Sequence, residues 1–315
     1  MAGLTLYTSP LTREQAEKLR SLLEQEEWEF EPKQYTLFSA RKGKVNVTVY
    51  EKGPKVLVQG AGTEEFVKFR LEPEILGEAR LGYEEVHNPE MFEPHFGIDE
   101  SGKGDFFGPL VIAGVYTNRD ITRQLMEAGI ADSKKIGSDK RIRSLAEVIR
   151  KTPGVKMNVA VISPRRYNDL YAKIGNLNRL LAWGHARVIE NLLELQPDCP
   201  RALSDQFGNP ALIERSLMEK GSTIRLDQRT KAESDVAVAA ASILAREKFI
   251  DWLDRLGKTH GFKTFPRGVG PQVKSVAEEL VAKHSPDILR EVAKLHFKTA
   301  TELMQGPLPA PEEQP

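Results

Sequence analysis

Apolar and polar positions along this chain follow two rhythms, and the changes between them divide it. From Thr12, a residue suited to an N-cap, the stretch TREQAEKLRSLLEQEEW places Ala16, Leu19, Leu22 and Leu23 on one helical face. Three strand-like runs follow, QYTLFSA, KVNVTVYE and KVLVQG, separated by the turns RKG and KGP. Val45, Val47 and Val49 alternate with Asn46, Thr48 and Tyr50, the period of a half-buried antiparallel strand. A short amphipathic helix, TEEFVKFRLEP, closes this small α+β module at about residue 76.

Residues 77–94 are polar, proline-punctuated and weakly periodic, which predicts a linker. At His95 the texture changes. FGID starts an apolar strand and PLVIAGVYT continues with a longer β-branched run. The glycine-rich gap between them is far too short for a parallel crossover, so the two are expected to pair antiparallel. Helical patterns then alternate with strands: SDKRIRSLAEVIRK, VKMNVAVIS, NLNRLLAWGHARVIENLLELQ, RALSDQF, STIRLDQR and KAESDVAVAAASILAREKFIDWLDRL. This predicts a mixed α/β domain with a central sheet over 95–304. The proline-rich remainder, 305–315, is expected to be a disordered tail.

Composition narrows the function classes a little. Lys plus Arg and Asp plus Glu both total 45, so any nucleic-acid partner must be met by a local basic surface. The single cysteine, Cys199, excludes an intramolecular disulfide and a cysteine zinc site. No apolar run approaches the ~20 residues of a membrane helix, and the N-terminus lacks a basic-then-apolar signal layout. A cytoplasmic protein without a membrane partner is the expectation. His95, His185, His260 and His296 show no i, i+4 zinc spacing and are read as structural.

The chemistry is concentrated in GIDESGKGD, residues 97–105. Its first seven residues fit the opening of a phosphate-cradling P-loop, but Gly104 stands where the magnesium-binding Ser or Thr belongs. Asp99 and Glu100 also put two carboxylates where phosphate oxygens would lie, and like charges so close repel unless cations intervene. The same pair suits a metal site. Asp205, in ALSDQFGN, ends another apolar segment, and Glu233 and Asp235 open an alanine-rich helix. Scattered carboxylates of this kind can hold magnesium, which keeps several of its waters. Taken alone they are equally the caps and solvated charges of an ordinary surface.

The run GIDESGKGDFFGPLVIAGV resembles the signature of the prokaryotic type 2 ribonucleases H, most closely the ribonuclease HIII branch. DSKKI at 132–136, SDQFGNP at 204–210, TKAESDVAVAAASILAR and FPRGVGP at 265–271 resemble the same family in the same order. The N-terminal module, 1–76, is similar to the TATA-binding-protein-like substrate-binding domain of that branch. The resemblance implies a ribonuclease H fold, hydrolysis of the RNA strand of RNA/DNA hybrids, and a monomer. It also implies two Mg2+ or Mn2+ ions and products with 5′-phosphate and 3′-hydroxyl ends. Carried over, the metal-binding carboxylates are Asp99, Glu100 and Asp205, with Glu233 as the fourth catalytic acid and Asp235 as its alternative. Gly102, Lys103 and Gly104, with Ser101, correspond to the loop that meets the RNA sugar.

Lys134 and Lys135, with Lys140, Arg141 and Arg143, are candidate phosphate contacts. In the N-terminal module Tyr35, Phe38 and Tyr50, with Arg41, Lys42 and Lys44, form either a gripping face or core. Two other readings stay open: ribonuclease HII-like action on single ribonucleotides in DNA, and a non-catalytic hybrid-binding protein.

Overall fold

The computed structural model describes residues 4–78, 84–130, 136–206, 213, 215–216, 224–230 and 232–305. The chain divides into two compact units, Met1–Glu90 and Met91–Pro315.

In the first unit, helix α1 (Arg13–Gln25) starts where its cap predicts. Thr12 accepts a hydrogen bond from the Gln15 amide while the Gln15 side chain accepts one from the Thr12 amide. Ala16, Leu19 and Leu23 are its buried stripe. The predicted meander is the centre of a five-stranded sheet, β3 (Thr36–Lys42), β4 (Val45–Tyr50) and β5 (Lys55–Gly60). Two further strands, β1 (Leu6–Pro10) and β2 (Glu29–Phe30), complete the order β1-β5-β4-β3-β2, antiparallel throughout. Both are edge strands, one ending in proline and one only two residues long, and neither carries a periodic signal of its own. Val47, Val49, Val56 and Val58 are buried. Helix α2 (Thr63–Phe66) runs on into π-helical winding over Val67–Leu76, which contains Pro73, a residue with no amide to donate.

Within the stretch expected to be a linker, Glu84–His87 forms one helical turn and Pro89–Phe92 a 3-10 turn. Met91 and Phe92 are already buried in the second core. Residues 79–83, and the tail beyond 305, lie outside the described residues.

The second unit is built on β6 (His95–Ser101) and β7 (Leu110–Thr117), which pair antiparallel as the short gap requires. β8 (Lys156–Ile162) extends β7 antiparallel, while β9 (Arg201–Asp205) and β10 (Arg225–Arg229) add to β6 in parallel. The sheet order is β10-β9-β6-β7-β8. Between β7 and β9 the chain passes through α3 (Arg119–Glu127), α4 (Asp139–Lys151), α5 (Pro164–Ile174) and α6 (Leu177–Leu195). Their N-caps are Asn118, Ser138, Ser163 and Asn176, each accepting the amide three residues on. The long α7 (Val236–His260) follows β10, and then α8 (Pro271–Lys283), α9 (Ile288–Val292) and α10 (Lys298–Gln305). Among the described residues no helix is long and apolar enough to cross a membrane.

Every residue of β7 is buried, as its unbroken apolar run requires of a strand covered on both faces. The cover is α6 on one side and α7 on the other. The α7 contact is the closer, because Gly97 in β6 lies directly on the helix backbone. A Cβ there would stand 2.2 Å from the Ala237 carbonyl carbon and 2.2 Å from the Val238 nitrogen. Ala237, Ala239, Ala240 and Ala241 are all buried in this first stretch of α7. Neither backbone can yield, so Gly97→Ala is expected to lower stability by at least about 1–3 kcal/mol, the overpacking range. Chemical denaturation followed by circular dichroism measures this, and an unchanged midpoint contradicts the contact.

Candidate active site

Strand register brings the predicted carboxylates together. β6 and β9 run parallel with Ile98 beside Ser204, which sets Asp99, the next residue of β6, beside Asp205 at the end of β9. Asp99 and Glu100 are successive residues of one strand and leave it on opposite faces. Asp99 shares the Gly97 face, under α7, where Ser242 hydrogen-bonds its side chain. Its Oδ1 also accepts the Glu100 amide at 2.8 Å. Glu100 shares the Ile98 face, under α6, where Nε2 of the fully buried His185 lies 3.0 Å from Oε2. The Lys103 Nζ stands 3.6 Å from the other oxygen, Oε1.

These groups line an open cleft of about 370 Å³, bounded by residues 99–105, Asp205, Ser242 and Arg246. Its floor is the turn after β6. Gly102 adopts φ +91°, and a Cβ there would meet the Pro109 carbonyl at 2.2 Å, so the turn demands glycine. At exposed Gly104 a Cβ would meet nothing within 4 Å, leaving the backbone open to a ligand. The turn passes into β7 and not into a helix, so it lacks the helix N-terminus on which a P-loop rests.

Three part-buried carboxylates in one cleft disturb one another. Burial, and after it the charge of Glu100, pushes the Asp99 carboxyl up to about 7, while Ser242 and the Glu100 amide oppose the rise and Asp205 adds to it. Burial also raises Glu100, but the His185 hydrogen bond and then Lys103 outweigh it and leave its carboxyl below the usual range. Among the described residues, no three His, Cys, Asp or Glu side chains converge tightly enough to hold an ion by themselves.

The two candidates for the fourth acid lie in different settings. Asp235 is the buried N-cap of α7, and its Oδ1 accepts from the Ala237 and Val238 amides at 2.9 and 3.3 Å and meets His95 Nε2 at 3.0 Å. Burial would raise its carboxyl, but His95 and these amides hold it below the usual range. Glu233 sits in the 3-10 turn Ala232–Ser234, only partly buried. That turn is tied to the site, since the Ala232 amide donates to Asp205 Oδ1 at 3.4 Å.

Other expected contacts fare differently. Lys134 and Lys135 lie outside the described residues. Lys140 and Arg141 are exposed on the first turn of α4. Arg143 instead pairs with Asp251 at 3.0 Å and Asp254 at 2.7 Å on α7, so it is engaged within the protein. In the first unit Phe38 is core, Tyr35 is 78% exposed, and Tyr35 and Tyr50 line a shallow pocket with Lys52 and Lys55. His95 and His185 each meet a carboxylate, Asp235 and Glu100, a pairing that their sequence spacing does not reveal. Ser242 and Arg246 also line the cleft; both lie within TKAESDVAVAAASILAR, where the local pattern does not set them apart from the rest of the helix.

Comparison with known proteins agrees with this geometry. Residues 96–300 match the ribonuclease HII family, and residues 9–76 match a domain of unknown function, DUF3378. The chain is 42% identical over 299 residues to the ribonuclease HIII of Protochlamydia amoebophila, covering 95% of this chain and 97% of that one. It is 40% identical over 302 residues to the ribonuclease HIII of Chlamydia pneumoniae, covering 95% and 98%. Among solved structures it is similar to Bst-RNase HIII in complex with Mn2+, with TM-score 0.65, 26% identity, and 94% and 97% coverage. It is also similar to Aquifex aeolicus RNase H3, with TM-score 0.53, 28% identity, and 93% and 100% coverage. The mixed sheet carrying the carboxylates is the ribonuclease H fold that the motifs implied. This chain belongs to the ribonuclease HIII family.

Proposed function

We infer that this chain is an endoribonuclease that hydrolyses the RNA strand of RNA/DNA hybrids with the help of divalent cations. The observation that carries this is the convergence of Asp99, Glu100 and Asp205 from two adjacent strand ends on one cleft floored by a glycine turn. A protein that only bound phosphate would line such a cleft with lysine and arginine.

The donors fit hard cations, being all oxygen. Asp99, Glu100 and Asp205 would hold Mg2+ or Mn2+, with Glu233 as the fourth acid. Two such ions, when bound, would activate water and stabilise the departing 3′-oxygen, leaving 5′-phosphate and 3′-hydroxyl ends. Glu233 is favoured over Asp235 because its turn is bonded to Asp205, whereas Asp235 is spent on capping α7 and holding His95.

The remaining residues bind and orient the substrate. Ser101 and the backbone of Gly102, Lys103 and Gly104 stand where the RNA sugar would lie, and the 2′-hydroxyl is the group that distinguishes it from DNA. Lys103 and Arg246 bring positive charge to the phosphate that enters between the carboxylates. In the first unit, exposed Tyr35 with Tyr50, Lys52 and Lys55 offers stacking and charge to the duplex.

Cleavage of an end-labelled hybrid, beside double-stranded DNA and RNA, tests this reading. Cutting confined to the RNA strand of the hybrid and abolished by EDTA is expected. Binding without cutting under both Mg2+ and Mn2+ refutes it. Asp99→Asn and Asp205→Asn are each expected to reduce turnover by ~10²-fold or more. Glu233→Gln should lose activity with an unchanged melting midpoint. Asp235→Asn should instead cost about 1–3 kcal/mol of stability, as the loss of a buried hydrogen-bonded partner does. The opposite pattern would move the fourth acid to Asp235.

The Asp99 carboxyl also ties stability to pH. Its folded pKa of about 7 lies above the unattached value of 3.8, so the stability this carboxyl contributes is fully present below pH ~4 and is lost as pH rises through 7. Asp99→Asn removes this titration. In EDTA the variant is therefore expected to melt above wild type at pH 8, by about 2–4 °C per kcal/mol of relieved repulsion. The gap should close as pH falls from 7 towards 4. A gap independent of pH in calorimetric scans contradicts the assignment.

A further inference from the structure

We propose that His185 is a positioning residue for Glu100, holding Oε2 so that Oε1 is the oxygen this carboxylate offers to a cation. The proposal rests on the reading of Glu100 as a metal ligand.

His185 is fully buried, and its Nε2 lies 3.0 Å from Glu100 Oε2. A carboxylate oxygen only accepts, so Nε2 carries the hydrogen. Glu100 thereby has one oxygen tied into the protein. The other faces the cleft, where the half-exposed Lys103 ammonium, on a flexible stem 3.6 Å away, is readily displaced. A glutamate has three rotatable side-chain bonds, and holding it in one orientation beforehand removes that ordering from the cost of binding an ion.

The fold spends a residue on delivering this histidine. Gly184 precedes it in the middle of α6, where glycine is less favourable than alanine. A Cβ on Gly184 would stand 2.1 Å from Ile112 Cδ1, and Ile112 is the cross-strand partner of Glu100. One turn on, Val188 and then Leu192 reach the space over Gly114 of β7, where a Cβ would lie 2.7 and 2.6 Å from their side chains. Paired small residues thus let α6 sit close on β7 at the level of Glu100, and His185 is the side chain the helix turns towards it. Ser242 of α7 serves Asp99 from the opposite face. The two adjacent carboxylates are each oriented by a different helix.

The test is Mn2+ binding to the full chain without substrate, by isothermal titration calorimetry. The amide of His185→Gln reaches the position of Nε2, whereas that of His185→Asn reaches only the position of Nδ1. Gln is expected to stay within about threefold of wild type, while Asn should raise the dissociation constant ~10–100-fold. In a Glu100→Gln background, His185→Asn should add nothing further. Wild-type affinity in His185→Asn, equal losses in both variants, or additive losses with Glu100→Gln would each overturn the proposal. If the Asn variant does not fold, His185→Leu, with neither nitrogen, takes its place in the same comparison. Asp99→Asn is the control for the underlying reading. If it binds Mn2+ like wild type, the cation site itself is misplaced and the proposal falls with it. If it loses Mn2+ while His185→Asn does not, the positioning role alone fails.

Discussion

The contact between the backbone of β6 at Gly97 and the first turn of α7 is the constraint on which the catalytic unit depends. A strand and a helix approach this closely when neither presents a side chain, and glycine faces alanine there. The same contact sets the distance from Asp99, two residues on, to Ser242, less than two turns along the helix. His95 and Asp235 secure it from its edge. Asp235 caps α7 while receiving His95 from the start of β6, so one buried carboxylate fixes where both elements begin.

On this frame the protein carries a deliberate electrostatic burden. Three part-buried carboxylates share one open cleft, where burial and the Glu100 charge raise the Asp99 carboxyl while His185 and Lys103 lower that of Glu100. An arrangement optimised for stability would separate these groups. Keeping them together fits the exchange of stability for function that is common at binding sites. The orienting groups, Ser242 and His185, belong to the helices and not to the loop, which keeps the carboxylates on the most rigid part of the molecule.

Much of this was legible along the chain. The cap Thr12 marks a helix start through local hydrogen bonds, and the valine alternation of β4 marks a strand of an antiparallel sheet. Asp99 and Glu100 stood out because glycines surround them, and Asp205 because it ends an apolar run. Edge strands β1 and β2 were not legible. A short edge strand owes its pairing to a neighbour and has no pattern of its own. Arg143 was read as a phosphate contact because charge on an exposed helix looks the same whether its partner is a ligand or another helix. Asp251 and Asp254 lie more than a hundred residues away and carry no local hint of the pairing.

The sequence by itself determined the central strands and the longer helices, the antiparallel β6–β7 pair, the glycine turn, and the residue types of the site. These follow from propensities and spacings within about ten positions. Tertiary structure alone decided which carboxylates meet, which of Glu233 and Asp235 is spent on the fold, and that His185 faces Glu100. Those outcomes depend on strand register and on how closely helices seat against the sheet, and both are set by contacts between residues far apart in the chain.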